Sequence, residues 1–288
     1  PKIEQETIAK GDIFQHIVDV DALCHVVRVF EDEAVYHSSG SVDPLRDVEM
    51  VNSEFLIHDQ IFVEKRIERL ETALKKIKDE RHTKELELMQ RIQAHLEEEQ
   101  PLRLMQFSEE EDLLIRSYPF ITRKELILVF NVSEEDLGDR EILDRVTDHC
   151  LQQKMEAMVV SSQVESEIAQ LDSEEEKKEF RADLGIEEPA LGILTRLCLT
   201  ALGRMSFFTV GEDEVHQWLV RIGSTAPVAA GAIHSDLQKG FIRAEVMKYP
   251  ELIEFGSEAE LKKQGKLYVQ GKDYIVEEGD IINIRFNV

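Results

Sequence analysis

Three short stretches carry side chains of a kind that does chemistry. Glu33-Ala34-Val35-Tyr36-His37-Ser38-Ser39-Gly40 offers one imidazole beside a glycine turn, and an imidazole can hold a water molecule or take its proton near neutral pH. On the residues alone, a solvent-exposed loop histidine is the simpler reading of His37. Asn131-Val132-Ser133-Glu134 follows directly on the apolar run Leu126 to Phe130; as a bare pattern it reads first as an Asn turn leading into a helix capped by Ser133. Ser161-Ser162-Gln163 follows Met158 to Val160. Small residues there let a backbone approach a base, and a plain strand-to-helix loop fits as well. The other histidines, His149 among them, make no spacing that suits a metal or a catalytic pair. Cys24, Cys150 and Cys198 lie far apart in apolar contexts, with no CxxC or Cys/His spacing, and read as reduced core thiols. A phosphate loop of the form Gly-x-x-x-x-Gly-Lys-Ser/Thr places backbone N–H groups, a lysine and a hydroxyl around phosphates and magnesium. No such run occurs in the sequence, nor an Asp-x-x-Gly before Gly11.

The elements that must position these residues are legible from apolar patterning. Leu23 to Phe30, Leu126 to Phe130 and Met158 to Val160 are near-continuous apolar runs, as expected of strands buried on both faces of a parallel sheet. Between the first two, Val63, Ile67, Leu70, Leu74 and Ile77 fall on one helical seam, and Leu86, Met89, Ile92 and Leu96 on a second that Pro101 stops. The short polar connection Asp79 to Thr83 favours an antiparallel hairpin, a coiled-coil insertion. Ser173 and Glu176 make a capping box, Gly185 a stop, and Pro189 opens a helix running through Leu194 and Leu197 to Gly203. Near the end, alternation from Trp218 to Ile222, a helix after Pro227, a second alternation from Phe241 to Tyr249 and two short strands around Glu278-Gly279-Asp280 suggest a ubiquitin-like β-grasp.

Charge limits the partners. The 288 residues carry a net charge of -25, which argues against a protein that coats nucleic acid. From residue 206 onward nine basic residues face thirteen acidic ones, so the acid lies mostly upstream, in Ser108 to Asp112 and Ser173 to Glu176. Lys65, Arg66, Arg69, Lys75, Lys76, Lys78, Arg81 and Lys84 crowd the hairpin; a solvated helix face is the ordinary reading and a contact with RNA the sharper one. No apolar run approaches the roughly 20 residues of a membrane span, and the first residues have no signal-peptide pattern. A cytoplasmic, membrane-free protein is the expectation.

The wording of several stretches goes further. Ala229 to His234, Lys239 to Glu245, Gly271 to Asp280 and the closing Arg285-Phe286-Asn287-Val288 resemble the TGS domain that ends the YchF subfamily of Obg-like P-loop nucleotide hydrolases. The resemblance continues through Val42-Asp43-Pro44-Leu45-Arg46-Asp47, Phe180 to Pro189 and Thr209-Val210-Gly211, and so covers nearly the whole chain. It implies an α/β fold: a partial P-loop G domain (1–60 and 111–204) lacking its N-terminal phosphate-loop segment, a coiled-coil insertion (61–110) and a β-grasp TGS domain (205–288). It also implies hydrolysis of ATP or GTP with Mg2+, whose ligands are expected in the N-terminal segment, and a monomer with the ribosome, through ribosomal RNA, as partner. Asn131, Val132 and Glu134 take the place of Asn-Lys-x-Asp, with the longer Glu relaxing guanine preference. Ser161, Ser162 and Gln163 fall at the last nucleotide loop, and His37 where bacterial members carry a histidine proposed to place the attacking water. The rival from another class is a non-catalytic docking protein that binds the ribosome or protein partners through the hairpin and the TGS domain.

Overall fold

The computed structural model of the chain describes residues 12–138, 150, 153–211 and 214–287; His149 and Val288 lie outside them. The chain divides into two compact units, Pro1–Cys198 and Leu199–Val288.

In the first unit three parallel strands, β1 (Ala22–Arg28), β2 (Glu125–Asn131) and β3 (Glu156–Val160), lie in that order. In β2 every residue from Leu126 to Phe130 is buried, which is why this run is apolar without alternation. β1 departs from the expected burial on both faces: Val27 is 2% exposed, but Val26 is 62% exposed and Cys24 is exposed as well. β1 is an edge strand among the described residues, so one of its faces and one of its edges lack cover, and Cys24 is not a core thiol. Cys150 is one; burial pushes its thiol up to about 11.

A short helix, α1 (Asp12–Ile17), precedes β1, and α2 (Pro44–Leu74) follows it. Pro44 sits where a missing N–H costs nothing, and Asp43 Oδ1 accepts from Arg46 N at 3.2 Å. α2 runs without a break through residue 60. One helix therefore packs Val48, Val51 and Phe55 beside the sheet and Val63 and Leu70 into the hairpin. Midway, the fully buried Asp59 accepts from Ile121 N (3.0 Å), Thr122 N (2.8 Å) and Thr122 Oγ1 (2.7 Å), so its charge is satisfied by fixed donors.

α2 stops at Leu74, so Ile77 lies in the turn, 72% exposed, rather than on the apolar seam. Asp79 accepts from His82 N at 2.9 Å and opens α3 (Glu80–Glu97) within the stretch whose polar composition suggested a loop. Leu88, Met89, Ile92 and Leu96 then pack against Val63 and Leu70. A single turn of 3-10 helix (Leu102–Leu104) and α4 (Glu109–Ile115), which has a complete Ser108/Glu111 capping box, close this core. After β3 come α5 (Ser162–Ala169), α6 (Glu174–Asp183) and α7 (Ala190–Ala201). The Ser173/Glu176 capping box forms, and Gly185, at φ 69°, ends α6 where a side chain would be strained.

The second unit is a five-stranded sheet of β4 (Arg204–Val210), β5 (Val215–Arg221), β6 (Phe241–Lys248), β7 (Tyr268–Gln270) and β8 (Asp280–Phe286), in the order β5-β4-β8-β6-β7. β4 and β8 are parallel; the other pairs are antiparallel. α8 (Ala226–Ile233) covers one face, its Ala226, Ala229 and Ala230 letting the helix sit close over Phe207, Val220, Val246 and Ile282. α9 (Ser235–Lys239) follows it, and α10 (Tyr249–Phe255) and α11 (Glu258–Lys263) pack on the other face around Met247, Leu261 and Ile281. Two strands differ from the sequence reading. β4 was not anticipated, although Met205 and Phe207 alternate toward the core, and of the pair expected around Glu278 to Asp280 only β8 is a strand, Ile275 making instead an isolated bridge with Thr225. No helix among the described residues is long and apolar enough to cross a membrane.

Candidate functional site

The candidate residues gather at one end of the parallel sheet. Arg28, Asn131 and Val160, the last residues of β1, β2 and β3, stand in one register row, and ligands of open α/β sheets bind outside the carboxyl ends of their strands. The Asn131 carbonyl accepts from Val29 N at 2.9 Å, and Val132 N donates to Val160 O at 2.9 Å. The Asn131 side chain crosses to the next strand end, where Oδ1 accepts from Ser162 N at 2.9 Å. Ser161 is 1% exposed, caps α5 by position without a side-chain hydrogen bond, and has a buried Oγ with no partner among the described residues. A hydroxyl left unpaired in this way costs about 1–3 kcal/mol.

The structure thus brings Asn131, Val132, Ser161 and Ser162 together. Glu134 is exposed in the turn that follows β2, its carbonyl accepting from Leu137 N at 3.3 Å. Ser133 Oγ accepts from Asp136 N at 3.3 Å and donates to Asp136 Oδ2 at 2.7 Å, so this segment is a tight polar turn through Leu137. Gln163 points along its own helix, Nε2 donating to Glu167 Oε1 at 3.0 Å.

His37 sits on the loop between β1 and α2, and its side chain is 16% exposed, less than a free loop histidine. Nε2 lies 3.0 Å from Asp47 Oδ2, and Nδ1 accepts from Ser39 N at 3.2 Å. Both ends of the loop are pinned. Arg28 donates Nε to Phe30 O (2.9 Å), Nη1 to Val35 O (2.8 Å) and Nη2 to Asp32 O (3.1 Å). Arg46 holds Ser41 through Oγ and the carbonyl, at 2.9 and 2.6 Å. Behind the loop, His25 of β1 carries a buried, unpartnered Nδ1; burial lowers its pKa, partly offset by the nearby Asp47 carboxylate. No group of three or more His, Cys, Asp or Glu among the described residues is placed to hold a metal ion, so these residues do not fit a magnesium site of their own.

The YchF-GTPase C-terminal family model, described as "Protein of unknown function (DUF933)", matches residues 205–287. The "Ribosome-binding ATPase YchF" of Bacillus subtilis is 41% identical over 276 residues, covering 95% of this chain and 75% of that protein. Human "Obg-like ATPase 1" is 34% identical over 284 residues, covering 96% of this chain and 71% of that one. The chain belongs to the YchF/Obg-like ATPase family. The Schizosaccharomyces pombe YchF GTPase structure superposes with a TM-score of 0.78 at 31% identity, over 94% of this chain and 74% of that one, so the α/β fold with its helical region and C-terminal domain is that of the YchF family. What sequence reasoning missed at the YchF strand ends is the support: Arg28, Arg46 and Asp47. Two of them lay in view within the Asp43-Pro44-Leu45-Arg46-Asp47 run. Their signal was positional, a basic residue closing a strand and an acid in the first turn of a long helix, and neither has a spacing that marks chemistry.

Proposed function

We propose that the strand ends form the base-recognition part of a P-loop enzyme that hydrolyses ATP, and GTP as well, in association with the ribosome. The observation that carries this is the Asn131 side chain bound across to Ser162 N, beside a buried Ser161 hydroxyl that lacks a partner. An Asn that ties two loops at the carboxyl edge of a parallel sheet is a frame for a planar base. Glu134 stands exposed at the same strand end and, one methylene longer than Asp, fits the guanine N–H pair poorly; Ser162 and Gln163 line the neighbouring loop. His37 would place the attacking water. Mg2+ would arrive with the nucleotide phosphates and be held by residues other than those described. The names of the relatives support ribosome binding. The basic tip of the α2–α3 hairpin, Lys75, Lys76 and Lys78, would meet ribosomal RNA, and the second unit, read as a β-grasp of the TGS type, would add a second contact. A monomer at work in the cytoplasm is the corresponding assembly and location.

Competition between ATP and GTP for the full-length gene product tests the base reading. Comparable affinities are expected, and a guanine preference of about a hundredfold would sink it. His37→Ala should lower kcat by about tenfold or more with nucleotide affinity within about twofold; unchanged turnover would return His37 to an ordinary loop residue.

A further inference from the structure

His37 is held in one protonation pattern by its neighbours. A backbone N–H can only donate, so the bond from Ser39 N at 3.2 Å makes Nδ1 the lone-pair nitrogen and puts the ring proton on Nε2. That proton faces Asp47 Oδ2 at 3.0 Å. Asp47 is itself fixed. Its side chain is 13% exposed, its Oδ1 accepts Arg46 Nε (3.1 Å) and Nη2 (2.9 Å), and its N donates to Asp43 O at 3.0 Å. It occupies the first turn of α2, where the unpaired N–H groups of a helix favour a carboxylate. The groups facing this carboxylate are therefore Arg46 from its own helix, His37 from the loop and His25 from β1.

We propose that Asp47 is the positioning residue for His37. Together with the Ser39 amide it holds the Nε2–H tautomer, and it anchors the ring through Nε2, so that Nδ1 is the imidazole nitrogen with a lone pair for a donor, the Ser39 amide in this structure and the attacking water in its place during turnover. The logic is that of any base whose far nitrogen is anchored by a carboxylate. The proposal rests on reading His37 as the water-orienting group. It adds the residue that makes one nitrogen, Nδ1, the working atom.

Two measurements test it. In the 15N-labelled 288-residue chain, imidazole nitrogen shifts assigned with His37→Gln should show the Nε2–H tautomer for His37. Asp47→Ala, which leaves the Ser39 amide as the remaining hold, should weaken that preference, while Asp47→Asn, whose carbonyl oxygen still accepts, should keep it. An Nδ1–H tautomer in the unmodified chain, or an Asp47→Ala spectrum unchanged at His37, overturns the proposal. In the full-length gene product, Asp47→Ala should lower kcat by about tenfold with KM within about twofold, Asp47→Asn should recover part of it, and adding Asp47→Ala to His37→Ala should cost nothing further. If His37→Ala slows turnover and both Asp47 variants do not, Asp47 has no positioning role. If His37→Ala itself turns over normally, the reading of His37 fails, and the proposal with it.

Discussion

Two buried polar clusters invite comparison, one in each unit. In the second unit Asp280 is fully buried, and its oxygens accept from Lys248 Nζ (2.6 Å), Tyr274 OH (2.7 Å) and Glu277 N (2.9 Å). Lys248 also reaches Glu277 at 2.7 Å. In the first unit, Ser161 Oγ just after β3 and His25 Nδ1 in the middle of β1 are buried without partners among the described residues. A network whose central carboxylate is saturated serves to fix strands; a cluster that leaves groups unpaired retains capacity for a ligand. Substitutions in the first kind should therefore cost stability, and substitutions in the second kind should cost binding.

The largest effect expected is Asp280→Ala, which strips the ammonium of Lys248 and the Tyr274 hydroxyl of their shared acceptor. It should destabilise the second unit by about 3 kcal/mol, read by the fluorescence of Trp218, the chain's single tryptophan, during urea unfolding of the whole chain. A loss near zero would end the claim that this network is structural. Gly240→Ala comes next. An added Cβ would lie 2.3 Å from the Asn287 carbonyl oxygen, and the three atoms nearest to it are all Asn287 backbone rather than a flexible side chain, so a loss of about 2 kcal/mol is expected by the same fluorescence.

In the strand-end cluster, Asn131→Ala should weaken ATP binding to the full-length gene product by about tenfold while leaving the melting temperature within a few degrees. A large fall in melting temperature would place Asn131 with the structural cluster instead. Salt dependence sharpens the hairpin reading. Lys75→Glu with Lys76→Glu should reduce ribosome co-sedimentation by several-fold at low salt and flatten its salt dependence, and identical curves would leave the second unit as the docking surface.

The smallest effect is a pH one. Burial raises the Tyr274 pKa to about 12 from 10.0, reinforced by the bond to Asp280. Burial alone would lower Lys248, but its bonds to Asp280 and Glu277 prevail and raise it. A raised folded pKa contributes stability that is fully present below the unfolded value and lost as pH rises through the folded one. Stability of the second unit should hold up to about pH 10 and decline from there to about pH 12, and Tyr274→Phe should soften the decline. A decline on the acid side of pH 7 alone would contradict this origin.

The three parallel strands, the capping box at Ser173, the two helical seams apart from Ile77, and the alternating strands β5 and β6 were legible in the sequence, because each depends on local periodicity or on residues within one turn of each other. The family resemblance rested on such local wording too, and it indicated Asn131, Val132 and Glu134 together with Ser161, Ser162 and Gln163, of which the structure gathers Asn131, Val132, Ser161 and Ser162 and leaves Glu134 in the following turn and Gln163 along its own helix. The proximity of those four was not readable, since it follows from a β2–β3 register that pairs Asn131 with Val160 across 28 intervening positions. Nor was the exposure of Val26 and Cys24, because an apolar run looks the same in a central strand and in an edge strand. β4 escaped for a related reason, its partners β5 and β8 lying on both sides of it in space and on one side in sequence. Side-chain types and their spacing thus determined the elements of this protein and the chemistry it has to hand. Only the tertiary structure decided that Arg28 would pin the loop of His37, and that Asp47, ten residues on, would meet its ring, because contacts between a strand end, a loop and a helix start are set by packing and leave no period in the chain.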